Sequence, residues 1–435
     1  MEKNAQEVSS TDESCSSKED TANTEEGKCD KNLEEYFGEL KESVCMEEEK
    51  KTTKDIEVTV FLFINPLSGL RKGKVLLERC SSHEVFEDLG QVYLINIRDN
   101  RSKELGIKQL KDYLSTSCNN IYVFIAGGDG SFISIFDELL NKGVDPLRVV
   151  FGILPFGTGN DLAQVTGWGA YSKDIMKSTT SDTLINFMSE LKNAEVSPIN
   201  IWEVEVECAN TNDIYYIDDF NNKRKENSTG NKLLKRHMIN YFSVGEDASI
   251  GFGFEKHRTS STFWNEFYYG WEGFKKLCKD YLTPTKVSKI ISTFSKTSNE
   301  QELNIINFGN DYTEHFSSIL FLNIGSFMGG RSKPWSSTKK VMNASKEFHR
   351  ESYNDDQLEV LTFSSTFRIS LETIMNGNAK RITQDGGPFK LKFKRENITT
   401  HIEIDGEFYK IINPLEINIK LASSPTINVA IKKQS

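Results

Sequence analysis

Ile121-Tyr122-Val123-Phe124-Ile125-Ala126-Gly127-Gly128-Asp129-Gly130-Ser131 decides the fold of this chain. Its first six residues are an unbroken apolar run rich in β-branched and aromatic side chains, the pattern of a strand buried on both faces. Glycines then let the chain turn, and Ser131–Asn141 repeats apolar residues at helical spacing. The same grammar recurs on both sides. Ile56–Ile64 reads as a strand ending in the turn signal Asn65-Pro66, with a helix from Lys72. Gln91–Ile97 reads as a strand and Ser102–Leu114 as a helix. Val149–Leu154 is a further strand, running into Pro155-Phe156-Gly157-Thr158-Gly159, after which Asn160-Asp161 opens a short helix. This alternation predicts a Rossmann-like three-layer α/β domain with a largely parallel sheet.

Past residue 200 the pattern changes. Ile239–Val244, Ser318–Ile324, Leu358–Phe363, Phe389–Phe393, Thr400–Asp405, Leu415–Leu421 and Ile427–Ile431 are strand-like runs. Two helix-like stretches, Phe263–Phe274 and Phe367–Met375, interrupt them. Closely spaced strands predict a mainly antiparallel, β-sandwich-like accessory domain. The expected division is 56–200 and 201–435, changing over near Ile199–Glu207. Residues 209–236 are polar and are expected to be a disordered loop.

The formal net charge of -10 argues against a nucleic-acid binder, and its distribution is uneven. Residues 1–55 hold 17 acidic and 8 basic residues, leaving 46 against 45 for residues 56–435. The acidity therefore belongs to a tail poor in aromatics, expected to be disordered. The rest is near neutral. No apolar run reaches the ~20 residues that cross a bilayer, and the first residues do not read as a secretory signal. Seven cysteines stand singly, without a Cys-x-x-Cys pair, which fits a reducing cytoplasm and neither a zinc ribbon nor a disulfide framework.

Three turns at strand ends carry the chemistry. In Gly127-Gly128-Asp129-Gly130 the glycines clear space for a phosphate, and free amides at the next helix N-terminus attract anions. Asp129 is compatible with such a site if Mg²⁺ lies between, or if it orients a donor. Gly157-Thr158-Gly159-Asn160 repeats the logic, and Asn65-Pro66-Leu67-Ser68-Gly69 closes the first strand. Competing motifs fail. Gly69–Lys74 is one residue short of a Walker loop. Gly157–Leu162 lacks the third glycine of a dinucleotide fingerprint. Asn307-Phe308-Gly309 is not Asp-Phe-Gly, and there is no His-Arg-Asp loop.

In order and spacing, these segments resemble the eukaryotic diacylglycerol kinases. The resemblance includes Leu154–Ala163, Gly167-Trp168-Gly169, Asn240–Ala248, Gly329-Gly330, Leu358-Glu359-Val360 and Ile404-Asp405-Gly406-Glu407. It spans a catalytic region of roughly 58–203 and an accessory region of roughly 239–421, with neither C1 fingers nor an EF-hand loop. It implies transfer of the ATP γ-phosphate to 1,2-diacylglycerol, giving phosphatidic acid in lipid signalling and phospholipid metabolism. It implies nucleotide contacts at Asn65, Pro66, Ser68, Gly69, Gly127, Gly128, Asp129, Gly130, Ser131, Gly157, Thr158, Gly159 and Asn160. It implies Mg²⁺ at Asp129 and Asp161, and catalysis by Asp405 as base, with Glu407 assisting and Asp129. Asp247 reads as structural as readily as catalytic. Leu67 replaces the family's usual lysine; His401, Phe408 and Tyr409 replace its proline, proline and tryptophan. A cytoplasmic enzyme acting transiently and peripherally at membranes is expected. Phe263–Lys276 reads as a buried helix before it reads as an interfacial patch. A kinase for sphingosine or ceramide, and a catalytically weak scaffold, are the alternatives.

Overall fold

In a computed structural model, the described residues are 58–68, 71–116, 121–157, 159–169, 180–220, 223–257, 286–309, 314–342, 347–372, 374–394 and 397–433. The acidic tail, Gly69, Thr158 and the aromatic stretch Phe263–Phe274 lie outside them. The α/β half carries β1 (Thr59–Ile64), β2 (His83–Phe86), β3 (Gly90–Asn96), β4 (Ile121–Gly127) and β5 (Val149–Pro155). The chain continues through β6 (Glu195–Cys208), β7 (Ile214–Phe220), β8 (Lys223–Ser228), β9 (Leu233–Met238) and β10 (Tyr241–Gly245). Next come β11 (Ile291–Ser298), β12 (Gln301–Asn307), β13 (Ser318–Leu322), β14 (Leu358–Phe363) and β15 (Lys380–Asp385). Last are β16 (Phe389–Phe393), β17 (Thr399–Ile404), β18 (Glu407–Ile412) and β19 (Pro414–Ile431).

The α/β half is as the pattern predicts. Strands β5, β4, β1 and β3 lie side by side and parallel, with β2 added antiparallel at the edge. All seven residues of β4 are buried, as are all six of β1, because helices cover both faces. Phe61, Phe63, Phe124, Phe132 and Phe151 fill this core. Parallel strands of one hand bring the ends of β1, β4 and β5 to the same sheet edge.

The second half is two antiparallel layers. One runs β15-β14-β13-β10-β17-β18-β7-β8. The other, β12-β11-β16-β19 with β6 and β9, is continuous with the parallel sheet, because β19 pairs with both β6 and β5. Trp202, Phe242, Phe294, Phe321, Ile402, Ile404 and Ile417 pack between the layers, which is the expected sandwich. β6 passes unbroken through Ile199–Glu207, so the changeover there is made along one strand rather than across a linker.

The polar stretch 209–236 corrects the loop reading. It folds as the β7–β8 hairpin followed by the start of β9. Ile214 is buried in β7, and Leu234 and Met238 are buried in β9, where they alternate with exposed neighbours. A few apolar residues on one face suffice for a strand at a sheet margin. The charged sequence of β8 suits an edge, where charge discourages pairing with another chain.

Candidate active site

Three turns, after β1, β4 and β5, converge. Gly128 is the N-cap of the helix Asp129–Asn141. A Cβ on Gly157 would stand 2.3 Å from Gly128 Cα, so the β5 turn lies directly on the β4 turn. The amides of Phe156 and Gly157 donate to the Gly127 carbonyl at 3.1 and 2.9 Å. Asn65 Nδ2 donates to Ser131 Oγ at 2.9 Å, and Asn65 Oδ1 accepts from the Leu67 amide at 3.1 Å. Asn160 Nδ2 donates to the Gly157 carbonyl at 2.9 Å. Pro66 and Ser68 lie within the first turn, where the Ser68 amide reaches the Asn65 carbonyl at 3.3 Å. Among the described residues, the amides of Gly128 and Gly130 find no acceptor. They sit at the positive end of a 13-residue helix, which makes an anion cradle.

Asp129 is buried behind this cradle. Its carboxylate accepts from the amides of Asp161 and Leu162 at 2.9 and 3.2 Å, fastening the first turn of the helix Asp161–Val165. Asp161 reaches the other way. It accepts from Ser326 Oγ at 2.5 Å, the Gly329 and Gly330 amides at 2.7 and 2.8 Å, and Tyr241 OH at 3.4 Å. The α/β half is thus latched to the accessory half through one carboxylate.

From the accessory side comes the β17–β18 hairpin. Ile404 pairs with Glu407, leaving Asp405 and Gly406 as a two-residue turn with φ of 48° and 82°. Both angles lie in the left-handed region, which suits an Asp-Gly turn. Ile402 and Ile404 point into the sandwich core, so Glu403 and Asp405 face the opposite side. Asp405 accepts three amides, from Ile239 at 2.7 Å and from Asn240 and Tyr241 at 2.9 Å each. It is 1% exposed. The hairpin tip meets the turn after β4: a Cβ on Gly130 would lie 3.6 Å from Glu407 Cγ. Glu407 Oε2 accepts from Tyr409 OH at 2.6 Å, and Arg236 Nε lies 3.7 Å away.

Acids therefore crowd this interface. Burial, then repulsion from Asp161, pushes Asp129 up to about 7. Burial also pushes Asp405 up to about 7, and raises Asp161. Glu403 is pushed well up by burial and by the nearby Asp247, Asp161 and Asp405. Asp247 lies in the first turn of the helix Glu246–His257, and burial raises it too.

The expected Mg²⁺ ligands fit poorly. Both oxygens of Asp161 are filled by four donors, and Asp129 is enclosed as a cap. Among the described residues, no group of three or more His, Cys, Asp or Glu side chains is arranged to hold a metal ion.

The sequence reading brought together Asn65, Ser131, the glycine turns, Asp129, Asp161, Asp405 and Glu407, and the structure gathers them too. It missed Glu403, Ser326 and Arg236. Two-residue spacing from Asp405 was a usable signal for Glu403. Arg236 lay in the stretch read as a loop, and nothing local marked it.

Glycine turns at parallel strand ends, faced by a carboxylate-bearing antiparallel hairpin, define an anion-binding class of site. Two family models match: the diacylglycerol kinase catalytic domain over residues 59–188 and the diacylglycerol kinase accessory domain over residues 237–408. The chain belongs to the diacylglycerol kinase family. Diacylglycerol kinase 1 of Arabidopsis thaliana is 24% identical over 80% of this chain and 42% of its own length. The eye-specific diacylglycerol kinase of Drosophila melanogaster is 28% identical over 84% of this chain and 22% of its own length. Diacylglycerol kinase 4 of Arabidopsis thaliana is 24% identical over 81% of this chain and 77% of its own length. The chain thus spans less than half the length of the first two. A crystal structure from Bacillus anthracis str. Sterne superposes with a TM-score of 0.46 at 12% identity, over 88% of this chain and 98% of that one.

Proposed function

We propose that this chain is an ATP-dependent lipid kinase that phosphorylates the free hydroxyl of 1,2-diacylglycerol, giving phosphatidic acid. The observation that carries the reading is the seating of the Asp405-Gly406-Glu407 hairpin against Gly130. The Glu407 stem and the Asp405 backbone carbonyl lie beside Gly130, whose amide would help hold the γ-phosphate, and this closeness supports the reading. Phosphoryl transfer depends mainly on positioning and charge stabilisation, and this arrangement supplies both. The glycine turns hold the triphosphate through backbone amides. Asn65, Ser131 and Asn160 brace those turns with their side chains. Asp129 fixes one turn on another. A carboxylate on the hairpin takes the proton of the attacking hydroxyl. Mg²⁺ would enter as the counter-ion of the nucleotide, bound by its phosphates and water.

Among the described residues, no helix is long and apolar enough to cross a membrane. Diacylglycerol resides in membranes, so the reaction belongs at a lipid surface, and the near-neutral charge of residues 56–435 adds little repulsion there. The test is ATP-dependent phosphorylation on mixed micelles offering diacylglycerol, ceramide, sphingosine and monoacylglycerol. Phosphatidic acid is the expected product, and an Asp129→Ala variant gives the background. Product no higher than that background would refute the reading. Product from ceramide or sphingosine alone would move the substrate to another lipid alcohol.

A further inference from the structure

We propose that the helix Thr366–Glu372 and residues 374–378 beyond it form the surface by which this chain docks on an anionic phospholipid bilayer. Phe367, Ile374 and Met375 enter the lipid, and Lys333, Lys339 and Lys340 face its headgroups. The choice of a bilayer as occupant rests on the lipid-kinase reading above.

Apolar side chains gather here against water. Phe367 is 59% exposed, Ile374 80% and Met375 63%. Among the described residues Ile374 is the most exposed large apolar side chain, and three of the twelve exposed ones fall between 367 and 375. The other nine lie apart in the sequence, and single exposed apolar residues are ordinary. A group of them marks a surface with a use. The helix has an inner side as well. Thr366, Ile369 and Glu372 recur every three residues and are buried, and Ile369 belongs to one cluster with Tyr241, Phe327, Trp335 and Phe363. Phe367 stands on the opposite side.

The apolar tip is fastened from beneath. Glu372 is 0% exposed and accepts from Ser332 Oγ at 2.9 Å and from the amides of Gly377 and Asn378 at 3.3 and 2.6 Å. The Lys333 amide donates to Asn376 Oδ1 at 3.3 Å, and Lys340 Nζ donates to the Gly377 carbonyl at 3.1 Å. Gly377 has φ of 95°, a position that a side chain would strain. These bonds hold Ile374 and Met375 outward instead of letting them fold onto the core. Their exposure to water is unfavourable, and contact with hydrocarbon reverses it.

Charge selects the kind of surface. Residues 331–342 and 366–381 carry seven Lys or Arg and one acid, the buried Glu372. Lys333, Lys339 and Lys340 are exposed on the segment that Glu372 and Asn376 tie to the tip. Residues 56–435 hold 46 acids against 45 bases, so this excess of cations is local. A cationic collar around an apolar tip matches anionic headgroups and the acyl chains beneath them. The surface also continues from the active site. Asp161 accepts the Gly329 and Gly330 amides, and Ser332, two residues on, is bonded to Glu372. The segment that meets the bilayer is thus the extension of the one that latches the two halves.

The experiment is co-sedimentation of the full chain with sucrose-loaded vesicles, of phosphatidylcholine alone or of equal parts phosphatidylcholine and phosphatidylserine. It needs no turnover. Wild type should bind the mixed vesicles, bind phosphatidylcholine alone less, and bind more weakly as salt rises. Ile374→Ser with Met375→Ser should lower partitioning about tenfold or more on both vesicles. Lys333→Gln with Lys339→Gln should lower it about fivefold per charge, on the mixed vesicles only. All four side chains are exposed, so unfolding midpoints should stay near wild type. Ile374→Trp should add emission that brominated acyl chains quench beyond the quenching seen in wild type. Wild type that stays off the mixed vesicles, variants that bind them as well as wild type, or added emission that brominated chains leave unquenched, overturns the proposal. Self-association that is lost in Ile374→Ser with Met375→Ser, without vesicle binding, overturns it too and makes the tip a contact between copies. Vesicle binding that behaves as expected in a protein forming no phosphatidic acid overturns the kinase reading and supports the docking surface.

Discussion

Replacing Gly157 with alanine should disable the site while leaving most of the fold in place. The added Cβ would lie 2.3 Å from Gly128 Cα and 2.6 Å from Gly128 N. Both atoms are backbone and cannot rotate aside. Ordinary contact needs about 3.4 Å or more, so the β4 and β5 turns must part by about 1 Å. That separation breaks the bonds from Phe156 and Gly157 to the Gly127 carbonyl, at 3.1 and 2.9 Å. It also moves Gly128 and Gly130, whose amides are to hold the phosphate. A misplacement of about 1 Å costs roughly 100-fold in rate, and overpacking of this kind costs about 1–3 kcal/mol of stability. Initial rates of phosphatidic acid formation with ATP varied, paired with thermal unfolding, measure both effects. Gly159→Ala is the matched control, because its Cβ would find nothing nearer than Asp129 Oδ2 at 3.5 Å. That variant should unfold within about 0.5 kcal/mol of wild type. If Gly157→Ala turned over within threefold of wild type, the contact between the turns would not matter to the phosphate cradle, and the reasoning would fail.

Two other perturbations bear on the buried carboxylates. Asp161→Ala leaves Ser326, Gly329 and Gly330 without the acceptor they share, at about 1–3 kcal/mol for each donor left buried and unpaired. The unfolding midpoint should drop equally with and without Mg²⁺; a drop seen only in the presence of Mg²⁺ would make Asp161 a metal ligand instead. Asp129 and Asp405 ionise near 7 in the fold, against about 4 in an unfolded chain. Across that window the fold holds protons that the unfolded chain has lost, so their stabilisation is full below about pH 4 and gone above about pH 7. Wild-type stability should therefore fall between about pH 4 and pH 7, and fall less steeply in Asp129→Asn. An equally steep fall in that variant would contradict the raised carboxyl of Asp129.

Local grammar made most of this fold legible. β1, β4 and β5 were readable because burial on both faces forces continuous apolar runs, and glycine turns punctuate them. The Asp405-Gly406 turn was readable because that dipeptide fills two left-handed positions cheaply. β7, β8 and β9 were not readable. A strand at a sheet margin needs few apolar residues, and Ile214, Leu234 and Met238 are too sparse in a polar stretch to announce one. The site followed the same divide. Residues that shape a turn advertise themselves by type, so Gly127, Gly157 and Asp129 stood out. Arg236 on β9 meets Tyr409 and Glu407 on β18 only through the tertiary fold, and spacing along the chain contains no trace of that meeting.

The same divide separates two kinds of carboxylate in the site. Asp129, Asp161 and Asp405 each accept backbone amides from a segment remote in sequence: 161–162, 329–330 and 239–241. An amide donor is present whatever the side chain, so such a carboxylate specifies a backbone path and depends little on its partners' identities. Glu407 instead depends on two side chains, Tyr409 and Arg236, that could each be exchanged by one substitution. Asp161 therefore ties the two halves together, Asp129 and Asp405 each brace one half, and the fourth acid has its basicity tuned by neighbours that vary independently. Losing an anchor should alter stability first and rate second. Losing Tyr409 or Arg236 should raise the pH at which Glu407 ionises, with little change in stability.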